Sequence, residues 1–274
     1  MIRFGVRYSP QRRGKNRFFN MYSFDSRVRY SEIDENGFLT LTGMMNYMQD
    51  CSTFQSESIG RGLAFLREQG KAWWVNAWEI EVRRLPALGE HIRVSTWPHG
   101  FKGIFGVRNF LIEAVREEED EGGKGIREIK EPLVLADSLW FYFDLEKKKP
   151  AKVPQDEAES YGPEGEPLPL PPISRKIPVP EGGEELQPIR VERHHLDTNR
   201  HMNNAQYVAI ARELLPEEFS TGSIRVEYRN MAVLGDQMYP YVVETGEGFL
   251  VSLRDRKGGV FASLVFSGKE DKHD

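Results

Sequence analysis

Asp197, Asn199 and His201 recur at every second position within the segment His195-Leu196-Asp197-Thr198-Asn199-Arg200-His201-Met202-Asn203-Asn204-Ala205-Gln206-Tyr207. On an extended backbone, residues i, i+2 and i+4 project to one face, so this spacing gathers a carboxylate, a carboxamide and an imidazole. Directly afterwards the pattern turns helical, with Asn203 placed as N-cap, Gln206 three residues on, and Pro216 as the stop after Leu215. A helix start carries unpaired amides and the positive end of a dipole, which polarise a carbonyl oxygen. A base beside such a site suits attack on an activated acyl group, either by water that the carboxylate activates or by the carboxylate itself. The segment contains no Ser or Cys nucleophile. The same residue types also fit a capping and turn network without chemistry, and that reading stays open on spacing alone.

The elements that position this segment occur twice. Placing Asp34 on Asp197 aligns residues 28–39 with 191–202 and matches Val28 to Val191, Ile33 to Leu196, Asp34 to Asp197 and Asn36 to Asn199. Each copy continues into a helical pattern: Leu41, Met44, Met45, Met48, Cys51 and Phe54 in the first, Tyr207, Val208, Ile210, Ala211, Leu214 and Leu215 in the second. Each helix leads to a strand ending in a Leu-Gly-acid turn, Leu88-Gly89-Glu90 and Leu234-Gly235-Asp236, followed by several alternating or apolar runs rich in β-branched and aromatic residues. One apolar helix beside an antiparallel meander buries itself only if the sheet curls around it. The expected class is α+β, a double (tandem) hot-dog: two antiparallel sheets, each wrapped around a central helix. The position of His201 is held by Phe38 in the first copy, so there Asp34 reads as a turn residue with Gly37 assisting, the alternative being that Asp34 is the working carboxylate.

Ten of the sixteen prolines lie between Pro150 and Pro188. Pro fixes φ and removes an amide donor, so this stretch reads as an extended linker. The expected organisation is a basic N-terminal arm over 1–21, a first repeat over 22–150 that shapes an acyl-chain pocket, a Pro/Gly-rich linker over 151–188, and a catalytic second repeat over 189–274. The charged run Glu117 to Lys124 reads as an exposed hairpin loop.

Composition excludes several classes. The 274 residues are 39% hydrophobic and 29% charged, and mean hydropathy is -0.55. No apolar run approaches a membrane span, and residues 1–24 have no signal-type apolar core. The formal net charge of -5 offers no overall basic field for nucleic acid. Cys51 is the only cysteine and lies on an apolar helical stripe, so no disulfide or multi-thiolate metal site is expected, and packing is the reading for its thiol. No Gly-rich phosphate loop is present; neither metal nor cofactor is expected, and the expected location is the cytoplasm. Residues 1–24 contain six basic residues and no acid, which suits an acidic partner or a solvated arm. His91, His99, His194, His195 and His273 read as structural or exposed.

The segment Asp197-x-Asn199-x-His201-x-Asn203-Asn204, followed by Tyr207, resembles the motif of the acyl-acyl carrier protein thioesterases of plants and bacteria. The resemblance extends to Trp73-Trp74-Val75, to Arg83–Glu90, to Asp137–Leu145 before Lys147-Lys148-Lys149, and to Ile224–Arg229. It implies a tandem hot-dog that hydrolyses fatty acyl thioesters on acyl carrier protein or coenzyme A. It also implies Asp197 as base or nucleophile, with Asn199 and His201 orienting water and stabilising developing charge. Asn203, Asn204, Met44 and Met48 are the expected substrate contacts, since thioethers adapt to flexible apolar ligands. The plant enzymes carry a Glu-Cys pair where this chain has Met231 and Ala232, which leaves a fourth catalytic group open; Glu227 is near but in another register. Lys147 to Lys149 are candidate docking charges for an acidic carrier. Free sheet edges are compatible with a homodimer, while the tandem repeat already supplies a pseudo-dimer. Two other activities fit the same fold: a dehydratase acting on 3-hydroxyacyl thioesters, and a non-catalytic acyl-thioester binding module.

Overall fold

In the computed structural model, residues 20–119, 126–173 and 176–269 are described. Nearly all of the basic arm, the tip of the charged loop after Glu119 and His273 lie outside them. The chain divides into two units: one runs to Trp74 and from Arg83 to Leu170, the other comprises Val75–Val82 and the chain from Pro171 onward.

The first unit opens with strand β1 (Tyr22–Arg27), a 3-10 turn (Tyr30–Glu32), helices α1 (Leu41–Ser58) and α2 (Leu63–Glu68), and the start of β2 (Lys71–Val82). It continues with β3 (His91–Lys102), β4 (Phe105–Glu119), β5 (Ile126–Asp144), β6 (Lys149–Pro150) and α3 (Gln155–Ser160). Strands β1, β3, β4 and β5 pair antiparallel in that order. Helix α1 starts where the Thr40 hydroxyl accepts the Gly43 amide at 3.0 Å, and it ends at Gly60, whose φ of +73° suits glycine. Between them Met44, Met45, Met48 and Cys51 fall on one stripe and are fully buried, packing the helix on β1 and β3. Each such side chain contributes about 1.5–3 kcal/mol of apolar burial. Burial pushes the Cys51 thiol far above its ordinary range, so it is inert packing rather than a nucleophile.

The Pro-rich stretch packs rather than running free. Val153, Glu157 and Tyr161 are buried in the first unit, and the Glu157 carboxylate accepts from Trp73 Nε1 at 2.9 Å. The Glu166 carbonyl accepts from Trp97 Nε1 and Asn109 Nδ2 at 2.9 and 3.2 Å. Isolated large side chains spaced between prolines give no periodicity, so sequence pattern does not reveal this anchoring.

The second unit has β7 (Glu184–Glu185), β8 (Ile189–Arg190), a 3-10 turn (Arg193–His195), α4 (Asn204–Glu213), β9 (Thr221–Tyr228), β10 (Gln237–Thr245), β11 (Gly248–Arg254) and β12 (Val260–Gly268). Residues 77–81 of β2 pair with β9, and the order continues through β12, β11 and β10, with β7 and β8 on β10. Helix α4 buries Ala205, Tyr207, Val208 and Ala211 and packs against β12. Each unit thus sets one core helix on an antiparallel sheet, which is the hot-dog arrangement in tandem.

Candidate active site

Both copies of the aligned segment fold into the same closed loop. A 3-10 turn leads into it, and an antiparallel bridge closes it: Ile33 with Leu39 in the first unit, Leu196 with Met202 in the second. A second bridge ties each loop to its Leu-Gly-acid turn, Phe38 with Ala87 and His201 with Val233. At that turn Val28 donates to the Glu90 carbonyl at 3.0 Å and Val191 to the Asp236 carbonyl at 2.9 Å. The repeat read from side-chain types is therefore a repeat of backbone hydrogen bonds.

Within the loop, one carboxylate oxygen organises the turn. Asp34 Oδ1 accepts from the amides of Asn36 and Phe38 at 3.0 and 2.9 Å. Asp197 Oδ1 accepts from the amides of Asn199 and His201 at 2.8 and 3.1 Å. The expectation that residues 197–201 run extended is corrected here. The residue before the imidazole, Arg200, has φ +63°, and the Asp197 amide donates to the His201 carbonyl at 2.8 Å. An Asp side chain competes for nearby amides, and that competition bends the segment into a turn. What joins Asp197, Asn199 and His201 is thus the Asp197 carboxylate gripping the backbone of the other two. Asp197 and His201 are half-buried, and Asn199 is exposed.

The helix start lies immediately beyond. Asn203 is the N-cap, as its position suggested, with its Oδ1 accepting the Ala205 amide at 2.8 Å, while the Gln206 amide reaches the Asn203 carbonyl at 3.0 Å. The Asn204 amide, in the first turn of α4, has no acceptor among the described residues. Behind it, the Tyr228 hydroxyl donates to the Asn204 carbonyl at 3.0 Å and its ring meets Tyr207 edge-on at 5.5 Å.

Two partners of the site were not legible as such. The Ala232 amide donates to the Tyr207 hydroxyl at 3.0 Å, and the Ala232 carbonyl accepts from Met202 at 2.9 Å. Ala232 therefore stitches the loop to the helix through its backbone, which its methyl side chain does not announce. Burial raises the Tyr207 phenol, the Ala232 amide opposes, and the Asp236 and Asp197 carboxylates add to the rise, leaving it at about 12; the hydroxyl keeps its proton. His195 Nδ1 accepts from the Glu192 amide at 3.0 Å. Burial and the adjacent His194 ring lower its pKa, so it caps the 3-10 turn as a neutral imidazole.

Glu227 lies apart from the loop in its bonding. It is buried on β9, where its Oε2 accepts from the Ile177 amide at 2.7 Å and from Arg229 at 2.8 Å. Arg229 also reaches the Ile177 carbonyl at 2.8 Å, so this carboxylate is spent fixing the segment that precedes the second repeat. Met231 is nearly half exposed, and Ala232 is fully buried. Met44 and Met48 sit in the first unit's core with no exposed surface. Among the described residues no cluster of His, Cys, Asp or Glu could hold a metal ion.

Comparison with known proteins follows the same lines. The sequence profile of the acyl-ACP thioesterase N-terminal domain matches residues 20–161, and that of the C-terminal domain matches residues 180–258. An acyl-[acyl-carrier-protein] hydrolase of Cuphea viscosissima, named as chloroplastic, is 26% identical over 226 residues, covering 74% of this chain and 50% of that protein. An oleoyl-acyl carrier protein thioesterase of Arabidopsis thaliana, also named as chloroplastic, is 25% identical over 206 residues, covering 70% and 54%. The chain thus spans about half the length of the curated relatives it matches. Among solved structures, an acyl-ACP thioesterase from Bacteroides thetaiotaomicron superposes with a TM-score of 0.77 at 21% identity, covering 91% of this chain and 98% of that one. The 12:0-ACP thioesterase from Umbellularia californica superposes with a TM-score of 0.76 at 19% identity, covering 91% and 97%. At these identities the superpositions establish the fold.

Proposed function

Since this chain belongs to the acyl-ACP thioesterase family, we propose that it hydrolyses fatty acyl thioesters of acyl carrier protein, releasing free fatty acid and the carrier thiol and so ending or diverting fatty acid synthesis. The observation that carries the reading is the second loop, which holds a carboxylate, a carboxamide and an imidazole directly before a capped helix start with one amide to spare.

Asp197 is fixed through Oδ1 by two amides, which leaves its second oxygen to take a proton from water. The water oxygen attacks the thioester carbonyl carbon while the Asn204 amide stabilises the oxyanion, in a geometry set before substrate arrives. Asn199 orients the water, and His201 stabilises the developing charge. As the oxyanion collapses and the carbon–sulfur bond breaks, the thiolate leaves with the proton that Asp197 took from water, which restores the carboxylate, and the acid product departs. Direct attack by Asp197, giving a mixed anhydride that water then opens, uses the same residues. Met231 supplies no carboxylate, and Glu227 is occupied with Ile177 and Arg229, so the chemistry rests on Asp197.

Asn203 and Asn204 at the start of α4 are the residues we assign to substrate contact, while Met44 and Met48 on α1, expected as contacts from the sequence, are packed in the first unit's core. The exposed Lys147, Lys148 and Lys149 are docking charges for an acidic carrier, raising on-rate more than affinity. Buried Cys51, the only thiol, fits a reducing compartment such as the cytoplasm. No described helix is long and apolar enough to cross a membrane.

The test is thiol release from acyl-carrier-protein and acyl-CoA thioesters of graded chain length, with wild type beside Asp197→Ala. Turnover with a length optimum, lost in the variant, is expected. A protein that cleaves no thioester, or a fully active Asp197→Ala, overturns the assignment.

A further inference from the structure

Arg200 carries a side chain at a backbone position that the equivalent loop of the same chain fills with glycine. Its φ of +63° lies in the left-handed region, where a Cβ is crowded, and the equivalent residue of the first loop is Gly37 at +83°. The two loops share their bridges and the carboxylate cap, so glycine suffices to make this turn. An arginine here gives up local stability, and no contact within the described residues compensates, because the exposed guanidinium of Arg200 has no hydrogen bond or ion pair among them.

A second cation follows the same pattern. Arg193, at the start of the 3-10 turn, is exposed with an equally unpartnered guanidinium, and its counterpart in the first loop is Tyr30. The loop with the imidazole therefore carries two free guanidiniums where the loop without it carries a phenol and a hydrogen. Residues that break a local rule without an internal gain mark a contact made outside the chain.

We propose that Arg200, with Arg193 of the preceding 3-10 turn, binds the phosphate of the phosphopantetheine arm on which the thioester is presented. This rests on the thioesterase reading and deepens it by naming the part of the substrate that meets these residues. The phosphate lies a full pantetheine arm from the thioester, on the solvent side, while the acyl chain runs inward. Arg200 is exposed and lies between Asn199 and His201 in the chain, and a long side chain ending in a guanidinium offers a planar pair of donors to phosphate oxygens. Carrier protein and coenzyme A share this phosphate, so the chemistry is common to both sources.

The experiment compares S-dodecanoyl-phosphopantetheine with S-dodecanoyl-pantetheine, which differ only in the phosphate, in wild type, Arg200→Gly and Arg200→Gln. Turnover gives KM, and calorimetric titration with the corresponding non-hydrolysable amides gives Kd independently of catalysis. Wild type is expected to prefer the phosphorylated member roughly three- to tenfold, less at high salt, and both variants to lose that preference. Arg200→Gly should also melt above wild type and Arg200→Gln should not, since glycine alone relieves the backbone. Dodecanoyl-CoA and dodecanoyl carrier protein then distinguish the sources: KM for both should rise in the variants, and the one with the higher wild-type kcat/KM is the physiological source. Equal affinity for the two amides in wild type, or a preference unchanged in Arg200→Gly, overturns the proposal while leaving hydrolysis intact. A phosphate preference dependent on Arg200, without turnover of any thioester, instead overturns hydrolysis and leaves the phosphate site standing.

Discussion

The paired loops allow the structural and chemical roles of one carboxylate to be separated. Asp34 and Asp197 each accept two backbone amides through Oδ1, over 2.8–3.1 Å, and both are half-buried. Truncation to Ala removes both bonds from a loop that water partly reaches, so each substitution should cost about 1–2 kcal/mol. For a chain of this size that is a melting shift of roughly 2–6 °C. Substitution by Asn keeps an acceptor oxygen in place and should cost less than about 1 kcal/mol in either loop. The chemical effect is expected in one loop only. Asp197→Asn leaves a turn but no base, and turnover should fall about a hundredfold or more; Asp34→Asn should stay within about twofold of wild type. The assay is kcat and KM for one acyl-carrier thioester, with thermal denaturation of the same four variants. If Asp197→Asn keeps most of its turnover while Asp197→Ala loses turnover and stability together, the carboxylate is only a turn cap. The mechanism given above then falls.

Two further predictions concern groups near the site. Glu227→Gln weakens a buried acceptor held by Ile177 and Arg229; because Arg229 is one-third exposed, the loss should be modest, about 1–3 kcal/mol, with kcat within a few-fold. A kcat collapse without destabilisation would make Glu227 catalytic and refute its assignment to packing. Burial holds the Tyr207 phenol at about 12, above its ordinary value near 10, so unfolding releases a proton between those values and stability should fall as pH rises from about 10 to 12. Tyr207→Phe should flatten that part of the stability–pH curve, and an unchanged curve would show that the hydroxyl is not held as described.

Much of the fold was legible because its signals are local. The stripe from Met44 to Cys51, Asn203 at the helix start and the paired Leu-Gly-acid turns each act within a few residues. The aligned Asp34 and Asp197 carried the repeat before any hydrogen bond was known. The shape of the site was less legible, because polar residues at i, i+2 and i+4 fit an extended strand and a carboxylate-capped turn equally. The deciding sign was Gly37 opposite Arg200, which marks a position needing positive φ. Tyr207 and Ala232 meet across 25 residues through a backbone amide, and Glu227 meets Ile177 across 50. Neither contact leaves a trace in local pattern. The anchoring of Val153 and Tyr161 was hidden by the prolines around them.

The two loops share one backbone scaffold but no longer share a set of side chains. In an assembly of identical single-repeat chains, every substitution in such a loop would appear in both copies at once, and a glycine lost from one would be lost from all. Covalent duplication removes that constraint. Phe38, Tyr30 and Gly37 can drift toward whatever their own surface requires, independently of His201, Arg193 and Arg200. The first loop is then a retained template, and returning histidine and arginine to positions 38 and 37 would ask how many side chains separate a turn from a reaction centre.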